Sequence, residues 1–309
     1  LSRGGEKLPY APRLRAISHL LVGESAHALQ DKVVRDEHYL LAMEQVGMRD
    51  AQEARDGVQL RSAHWALHDH NATTALKRLD ELPVGTARRT LALRLRLRAA
   101  RMARRTGVAL ETARLLAKHG AFSAPAAQGV LRSLALELIA AAHDEAQLRK
   151  AWEQLEDAER TMPEVATAAA ERALMLGADV ALSRSWLLPV WERVVSEPSA
   201  MSPSQRARVV QVLEDGFAKA AGAPDAAWLT RIETAQMSSP GDALLQYLAG
   251  ITCMHLQLWG KAQQLLTHSL AGLKDEMLCR NAWRSLAEMA QRRGDGEAAA
   301  EAYRNAAKR

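Results

Sequence analysis

The chain has 309 residues, 48% of them apolar and 25% charged, a composition that excludes disordered and fibrous proteins. Two cysteines exclude a disulfide framework, and a net charge of +5 is too small to indicate a broad nucleic-acid-binding surface. Ala and Leu are abundant, whereas Phe occurs twice and Tyr four times. This balance favours helices, because sheet cores use β-branched and aromatic residues.

Small residues at helical spacing indicate repeated helix pairs from the N-terminal region onwards. Gly23, Ala26, Tyr39 and Ala42 fit a first pair, with small residues where two helices would cross. Weaker copies of this pattern follow in chain order at Ala75 and Leu79, Ala103 and Gly107, Ala151 and Pro163, Ala173 and Gly177, and Ala218 and Gly222.

Two histidines stand four residues apart in the second predicted pair, at His64 and His68. This spacing places both rings on one side of a helix, where they are able to bind a metal or to ligate haem iron. The alternative is that both are polar surface residues, since a two-histidine site lacks further ligands.

The segment from Arg88 to Arg105 contains eight arginines and no acidic residue, and the rest of the chain carries a net charge of −3. Within it, the spacing of Arg94, Arg98, Arg101 and Arg105 places four guanidinium groups on one helical stripe, with Arg104 beside them. Guanidinium groups bind carboxylates in bidentate geometry, so we expect these five residues to contact an acidic partner. The alternative is a solvated basic face, or arginine side chains that pair with Glu and Asp of adjacent helices.

The C-terminal region has the clearest repeat pattern. Trp283 begins it, Gly294 marks a turn, and Ala299 and Tyr303 follow at four-residue spacing, which is the tetratricopeptide pattern. We therefore predict an all-α fold, a right-handed superhelical solenoid of antiparallel helix pairs. A segment rich in Pro and Ser divides it into residues 1–197, with about five pairs, and residues 198–309, with about three.

Motifs typical of catalysis, metal binding or nucleotide binding do not occur in the sequence. Cys253 and Cys279 fall at positions where small buried residues are expected, so we interpret them as packing residues. Because solenoids offer extended surfaces more often than enclosed pockets, we predict that the chain is not an enzyme and needs no cofactor.

The string Leu258-Trp259-Gly260-Lys261-Ala262, followed by the Trp283–Tyr303 repeat, resembles the HemY-type tetratricopeptide proteins of proteobacterial haem biosynthesis. The segment Arg35-Asp36-Glu37-His38-Tyr39-Leu40 is similar to that family's first repeat. The resemblance implies a repeat domain of an inner-membrane protein whose two membrane helices lie outside this chain. It also implies a role in a late step of protohaem synthesis.

Together these observations predict a non-enzymatic scaffold that binds late haem-pathway enzymes and no nucleic acid. We expect the repeat domain to be soluble, cytoplasmic and associated with the inner membrane. A porphyrin or haem carrier that uses His64 and His68 is one alternative, and a general envelope-assembly adaptor is another. Within the repeat pattern, we expect Trp259 to fill the gap between repeats and Gly260 to allow close backbone approach.

Overall fold

The structure is a computed structural model that describes residues 12–46, 52–219 and 225–308. All regular elements in these ranges are helical, and no helix among them is long and apolar enough to cross a membrane. The helices are α1 Pro12–Ala28, α2 Lys32–Gln45, α3 Gln52–His68, α4 Ala72–Asp80, α5 Val84–Ala87, α6 Thr90–Met102, α7 Thr106–Lys118, α8 Ala124–Ala140, α9 Glu145–Glu153, α10 Asp157–Arg160, α11 Pro163–Met175, α12 Val180–Ser196, α13 Pro203–Lys219, α14 Ala226–Ser238, α15 Ala243–His255, α16 Trp259–Ser269, α17 Glu276–Arg292 and α18 Gly296–Ala307.

The chain divides into two compact units, of which the first ends at Leu134 and the second begins at Ala135, within α8. The segment rich in Pro and Ser contains a single 3₁₀ turn, Pro198–Ala200, which lies inside the second unit. The division at residues 197 and 198 concerns the grouping of the repeats and stays a prediction.

Consecutive helices pack as antiparallel pairs, because turns of three or four residues join them. The closely packed pairs are α1 with α2, α3 with α4 and α6 with α7 in the first unit, and α11 with α12, α15 with α16 and α17 with α18 in the second. Neighbouring first helices also touch in the first unit, where α1 contacts α3 and α3 contacts α6. The predicted all-α helical-repeat fold is confirmed.

One turn geometry recurs in these six pairs. A residue with positive φ follows the first helix, and the N–H of the next residue bonds back to a carbonyl five residues earlier. The accepting carbonyl belongs to a small, buried residue in each case. These acceptors are Ala26, Ala66, Ala100, Ala173, Cys253 and Ala290. A small side chain therefore stands where the two helices approach each other, and the turn fixes that crossing point.

Many of the helices have an acidic or amide residue as their N-cap. Asp31, Asn71 and Asp295 each accept a hydrogen bond from the backbone N–H three residues later, at 3.0 to 3.1 Å. Each follows the positive-φ residue of its turn directly, so a single short segment ends one helix and begins the next.

The predicted register of the third pair was wrong by a few residues. Ala100 and Ala109 are the small residues fully buried at this crossing, whereas Ala103 lies in the turn and Gly107 is partly exposed. Ala and Gly are frequent throughout this region, so composition alone did not separate these choices. Gly222 lies outside the described residues.

Gly250 and Gly260 differ in the space around them. A Cβ atom added to Gly250 would lie 2.8 Å from Cγ of Leu266 and 3.2 Å from its backbone nitrogen, whereas a Cβ at Gly260 would meet nothing within 4 Å. The expectation that Gly260 permits a close backbone approach was therefore wrong. Gly250 has that role at the α15–α16 crossing, as the packing of small residues there requires.

We predict that Gly250→Ala lowers the free energy of unfolding by about 1–3 kcal/mol, because the added methyl group overpacks the crossing. Gly260→Ala is the matched control and should be neutral or stabilising by up to about 1 kcal/mol, since alanine favours the helix. Urea unfolding followed by circular dichroism measures both. Equal effects of the two substitutions would contradict the assignment of Gly250 to the crossing.

Candidate functional site

The five arginines predicted to bind a partner lie on α6 and on the turn that follows it. Arg94, Arg98 and Arg101 are exposed side chains of the helix, while Arg104 has a φ of 54° in the turn and Arg105 precedes α7. We call these five residues the arginine face. The opposite side of α6 is buried through Ala92, Leu93, Leu95, Ala99 and Ala100, and this burial fixes the orientation of the helix.

Four of the five residues of the arginine face have no acidic partner among the residues that the structure describes. Over the described ranges, Arg94, Arg98, Arg104 and Arg105 have no carboxylate within ion-pair distance, and Arg101 makes an interaction of its own. By contrast, Arg96, on a different side of α6, pairs with Asp80 at 2.7 Å. Like charges at this spacing repel each other by a few tenths of a kcal/mol per pair, and an acidic ligand would relieve this repulsion.

The two predicted histidines have different neighbours in the structure. His64 and His68 are both exposed on α3, but the ring of His68 lies beside His27 of α1, with centroids 4.8 Å apart. Asp69 completes a group whose potential ligand atoms all lie within 4.8 Å of one another. We call His27, His68 and Asp69 the histidine cluster. It joins two neighbouring first helices, and for that reason sequence spacing did not reveal it.

Arg35 of α2 holds the histidine cluster in place. Its Nη1 donates to Oδ2 of Asp69 at 2.5 Å and lies 3.3 Å from Nδ1 of His27, and its Nε donates to Asp36 at 2.8 Å. Arg35 is buried, with 7% of its surface exposed. The side chain therefore links the first helix pair to the turn of the second.

Position 35 is five residues after the positive-φ residue of its turn, Gln30. The equivalent position in four other pairs holds a buried alanine, at Ala75, Ala109, Ala262 and Ala299. A signal for this site was thus present in the sequence, as a charged residue in a position where the other repeats have a small one.

Charges and burial shift the pKa values of this cluster. Burial lowers the pKa of His27 below its usual value of 6.5, and the nearby His68 and Arg35 lower it further. Burial alone would raise the pKa of Asp69, but the hydrogen bond and charge of Arg35 lower it below its ordinary value. At neutral pH, His27 is therefore uncharged beside an ionised Asp69.

The histidine cluster lines a cavity whose side chains are all polar or charged. The cavity at the histidine cluster measures about 320 Å³ and is lined by His27, Gln30, Lys32, Arg35, His68, Asp69 and His70. Pockets that bind large planar ligands are lined mostly by apolar and aromatic side chains, whereas this one is polar throughout. Asp69 and Nδ1 of His27 are also already engaged by Arg35.

The second unit contains the Leu258–Ala262 string and the last repeat, on which part of the sequence resemblance is based. Trp259 begins α16, partly buried against the core of the unit, and the guanidinium of Arg292 lies 4.8 Å from its ring centroid. Lys261 pairs with Glu233 at 2.8 Å. Cys253 and Cys279 are buried. All four side chains make packing or pairing contacts within the fold, as expected for structural residues of a repeat.

A cavity of about 370 Å³ also lies in the second unit, where α13, α15 and α17 begin. Arg206 and Asp242 line it and form an ion pair with each other. Lys274 and Asp275 also line the cavity, so its charged groups are of both signs, unlike those of the arginine face.

No protein-family model matches the chain, and no curated protein matches it. Among solved structures, a chain of "Structure of Naa15/Naa10 bound to HypK-THB" is 13% identical and has a TM-score of 0.31. The match covers 96% of this chain and 52% of that chain, so the present chain spans about half of that chain's length. A TM-score this low carries no argument about fold or function.

The helix pairs themselves define the class: this is an all-α helical-repeat protein. Its resemblance to HemY-type proteins rests on the sequence motifs alone.

We predict that His27→Gln reduces the loss of stability between pH 7.5 and pH 5.5. A folded-state pKa below 6.5 means that protonation favours the unfolded chain, so stability present above pH 6.5 is lost as the pH falls. The melting temperature at the two pH values measures this loss. His143→Gln, an exposed histidine, is the control. The same pH dependence in the wild type and His27→Gln would contradict the assignment.

Proposed function

We propose that this chain is a non-enzymatic scaffold that binds an acidic protein partner through the arginine face. The observation that carries the proposal is that Arg94, Arg98, Arg104 and Arg105 are exposed and, within the part of the chain that the structure describes, have no carboxylate at ion-pair distance. Arg94 and Arg98 lie one helical turn apart on α6, and Arg104 and Arg105 follow in the turn after the helix. Like charges this close repel each other, and a carboxylate-rich ligand would offset that repulsion.

Protein carboxylates suit this surface better than nucleic acid does. The basic character is confined to the segment from Arg88 to Arg105, and the rest of the chain carries a net charge of −3. Nucleic-acid binding draws on a broad basic surface or on stacked aromatic rings, whereas α6 contains no aromatic residue. A short acidic segment of a protein matches the size of one helix face.

We further propose that the partner is an enzyme of a late step of haem biosynthesis, and that a membrane segment outside this chain anchors the protein to the inner membrane. The resemblance of Leu258–Ala262 and of the last repeat to HemY-type proteins supports this proposal. Tethering would raise the effective concentration of a bound partner to roughly the millimolar range, which gives a non-enzymatic scaffold a role in a pathway.

Direct binding of a porphyrin or haem by His64 and His68 is the alternative proposal, and a general envelope-assembly adaptor is a further one. A haemin titration separates the first from the scaffold. A saturable Soret shift that His68→Ala weakens supports a carrier, whereas the scaffold predicts no saturable shift.

We predict that the double substitution of Arg94→Glu and Arg98→Glu weakens binding of a fluorescein-labelled ten-residue Glu/Asp peptide at least about tenfold. Wild-type binding should also fall as the salt concentration rises, because screening reduces exposed charge interactions. Fluorescence anisotropy measures both effects, and circular dichroism checks that the fold is retained, since exposed substitutions cost within about 0.5 kcal/mol each.

The matched control is Lys77→Glu with Lys118→Glu, which makes the same change in net charge on exposed positions of α4 and α7. Binding should persist in this control. If both double variants lose binding equally, net charge and not the arginine face is responsible. Purified late haem-pathway enzymes, tested by calorimetry with the same variants, decide whether the partner belongs to that pathway.

A further inference from the structure

The histidine cluster has the donor set of a metal site. His27, His68 and Asp69 offer two imidazole nitrogens and a carboxylate oxygen, and the potential ligand atoms lie within 4.8 Å of one another. Zn²⁺ binds such atoms at about 2.0–2.2 Å in tetrahedral geometry, so ligand atoms around one ion are roughly 3.3–3.5 Å apart. His68 is exposed and His27 is partly exposed, so small side-chain rotations are enough to close the difference.

All three residues stand at the C-terminal ends of first helices. His27 is the second-to-last residue of α1, His68 is the last residue of α3, and Asp69 follows it directly. The carbonyl groups at a helix C-terminus carry a partial negative charge that stabilises a nearby cation. The neighbouring rings of His27 and His68 show that the two helix ends lie together, so both contribute to the electrostatic field at the cluster.

Arg35 engages one carboxylate oxygen of Asp69 and leaves the other to a metal. Its guanidinium donates to Oδ2, whereas Oδ1 forms a longer ion pair with Lys32, at 3.7 Å. The Lys32 side chain is 62% exposed, so it can turn into solvent at little cost. Carboxylates that ligate a metal are themselves held by hydrogen bonds, and Arg35 supplies such a bond here.

A metal at His27 replaces a weak contact of that ring. Nδ1 of His27 lies 3.3 Å from Nη1 of Arg35, which is longer than the bonds of this guanidinium to Asp69 and Asp36, at 2.5 and 2.8 Å. Those two bonds persist when His27 turns toward a metal. The two carboxylates also offset the positive charge of Arg35, which on its own would oppose a second cation.

We infer that His27, His68 and Asp69 bind a divalent transition metal of the kind that imidazole ligands select, such as Zn²⁺. Three protein ligands leave a fourth coordination position for a water molecule. The ion would join α1 of the first helix pair to the end of α3 in the second, so its role would be structural. This inference does not rest on the proposed function, because the arginine face lies on α6 and the turn that follows it.

Isothermal titration calorimetry of the untagged, EDTA-treated and desalted chain with ZnCl₂ tests this inference. We expect one equivalent of Zn²⁺ to bind, and we expect His27→Ala and His68→Ala each to weaken binding at least about tenfold, because each removes a ligand. His64→Ala is the matched control. His64 is exposed on the same helix as His68 and four residues before it, but it is not part of the cluster, so this variant should bind Zn²⁺ like the wild type.

The melting temperature gives a second measurement. Unfolding separates ligands that come from two helix pairs, so saturating Zn²⁺ should raise the melting temperature of the wild type and of His64→Ala above the value in EDTA. It should not raise that of His68→Ala, whose substitution is exposed and should leave the fold intact by circular dichroism. Lys32→Gln should tighten Zn²⁺ binding, because it removes the cation nearest to Oδ1 of Asp69.

Failure of the wild type to bind Zn²⁺ would overturn this inference and leave the proposed function intact. Equal weakening by His64→Ala and His68→Ala, with no effect of His27→Ala, would also overturn it, because the ion would then be held by the histidine pair within α3. If His27→Ala does not fold, His27→Gln takes its place, and the comparison of His68→Ala with His64→Ala still decides whether the cluster holds the metal.

Discussion

The helix pairs depend on one backbone interaction, the hydrogen bond from the end of each turn to a small residue in the last turn of the first helix. It has two effects at once. The bond satisfies a carbonyl that would otherwise lack a partner at the helix end, and the small acceptor lets the second helix pack closely. Because the turn is nearly the same in six pairs, exposed positions can be compared between pairs by counting from it.

The arginine face was accessible from the sequence because it is a local feature. Arg94, Arg98 and Arg101 lie at three- and four-residue spacing on one helix, which depends only on helical geometry, and a buried Ala/Leu side makes the helix itself easy to predict. The prediction that Arg105 continues this stripe was wrong, because the helix ends at Met102 and a turn follows. Whether acidic residues of neighbouring helices neutralise those arginines is a tertiary question. Asp80, which pairs with Arg96 and not with the face, illustrates a pairing that sequence spacing does not determine.

The histidine cluster shows why the remainder was not predictable. His68 was identified, but its neighbour His27 is 41 residues earlier and meets it only because α1 and α3 lie side by side. The i, i+4 rule selected His64 instead, since that rule describes one helix and not the contact between two. The predicted register of the third pair was wrong for another reason. Alanine is so frequent near Ala100 and Ala103 that several registers fit the pattern equally well.

Arg35 distinguishes the first pair from the four pairs that have a buried alanine at the equivalent position. In the pairs with a buried alanine at this position, the contact there is apolar packing, which is similar from one repeat to the next. The first pair instead presents a buried cation that needs Asp69 of the second pair opposite it. A guanidinium left without that carboxylate would be costly to bury. The order of these two pairs is therefore specified chemically, because a following pair without an acidic residue at the place of Asp69 would leave Arg35 without this partner.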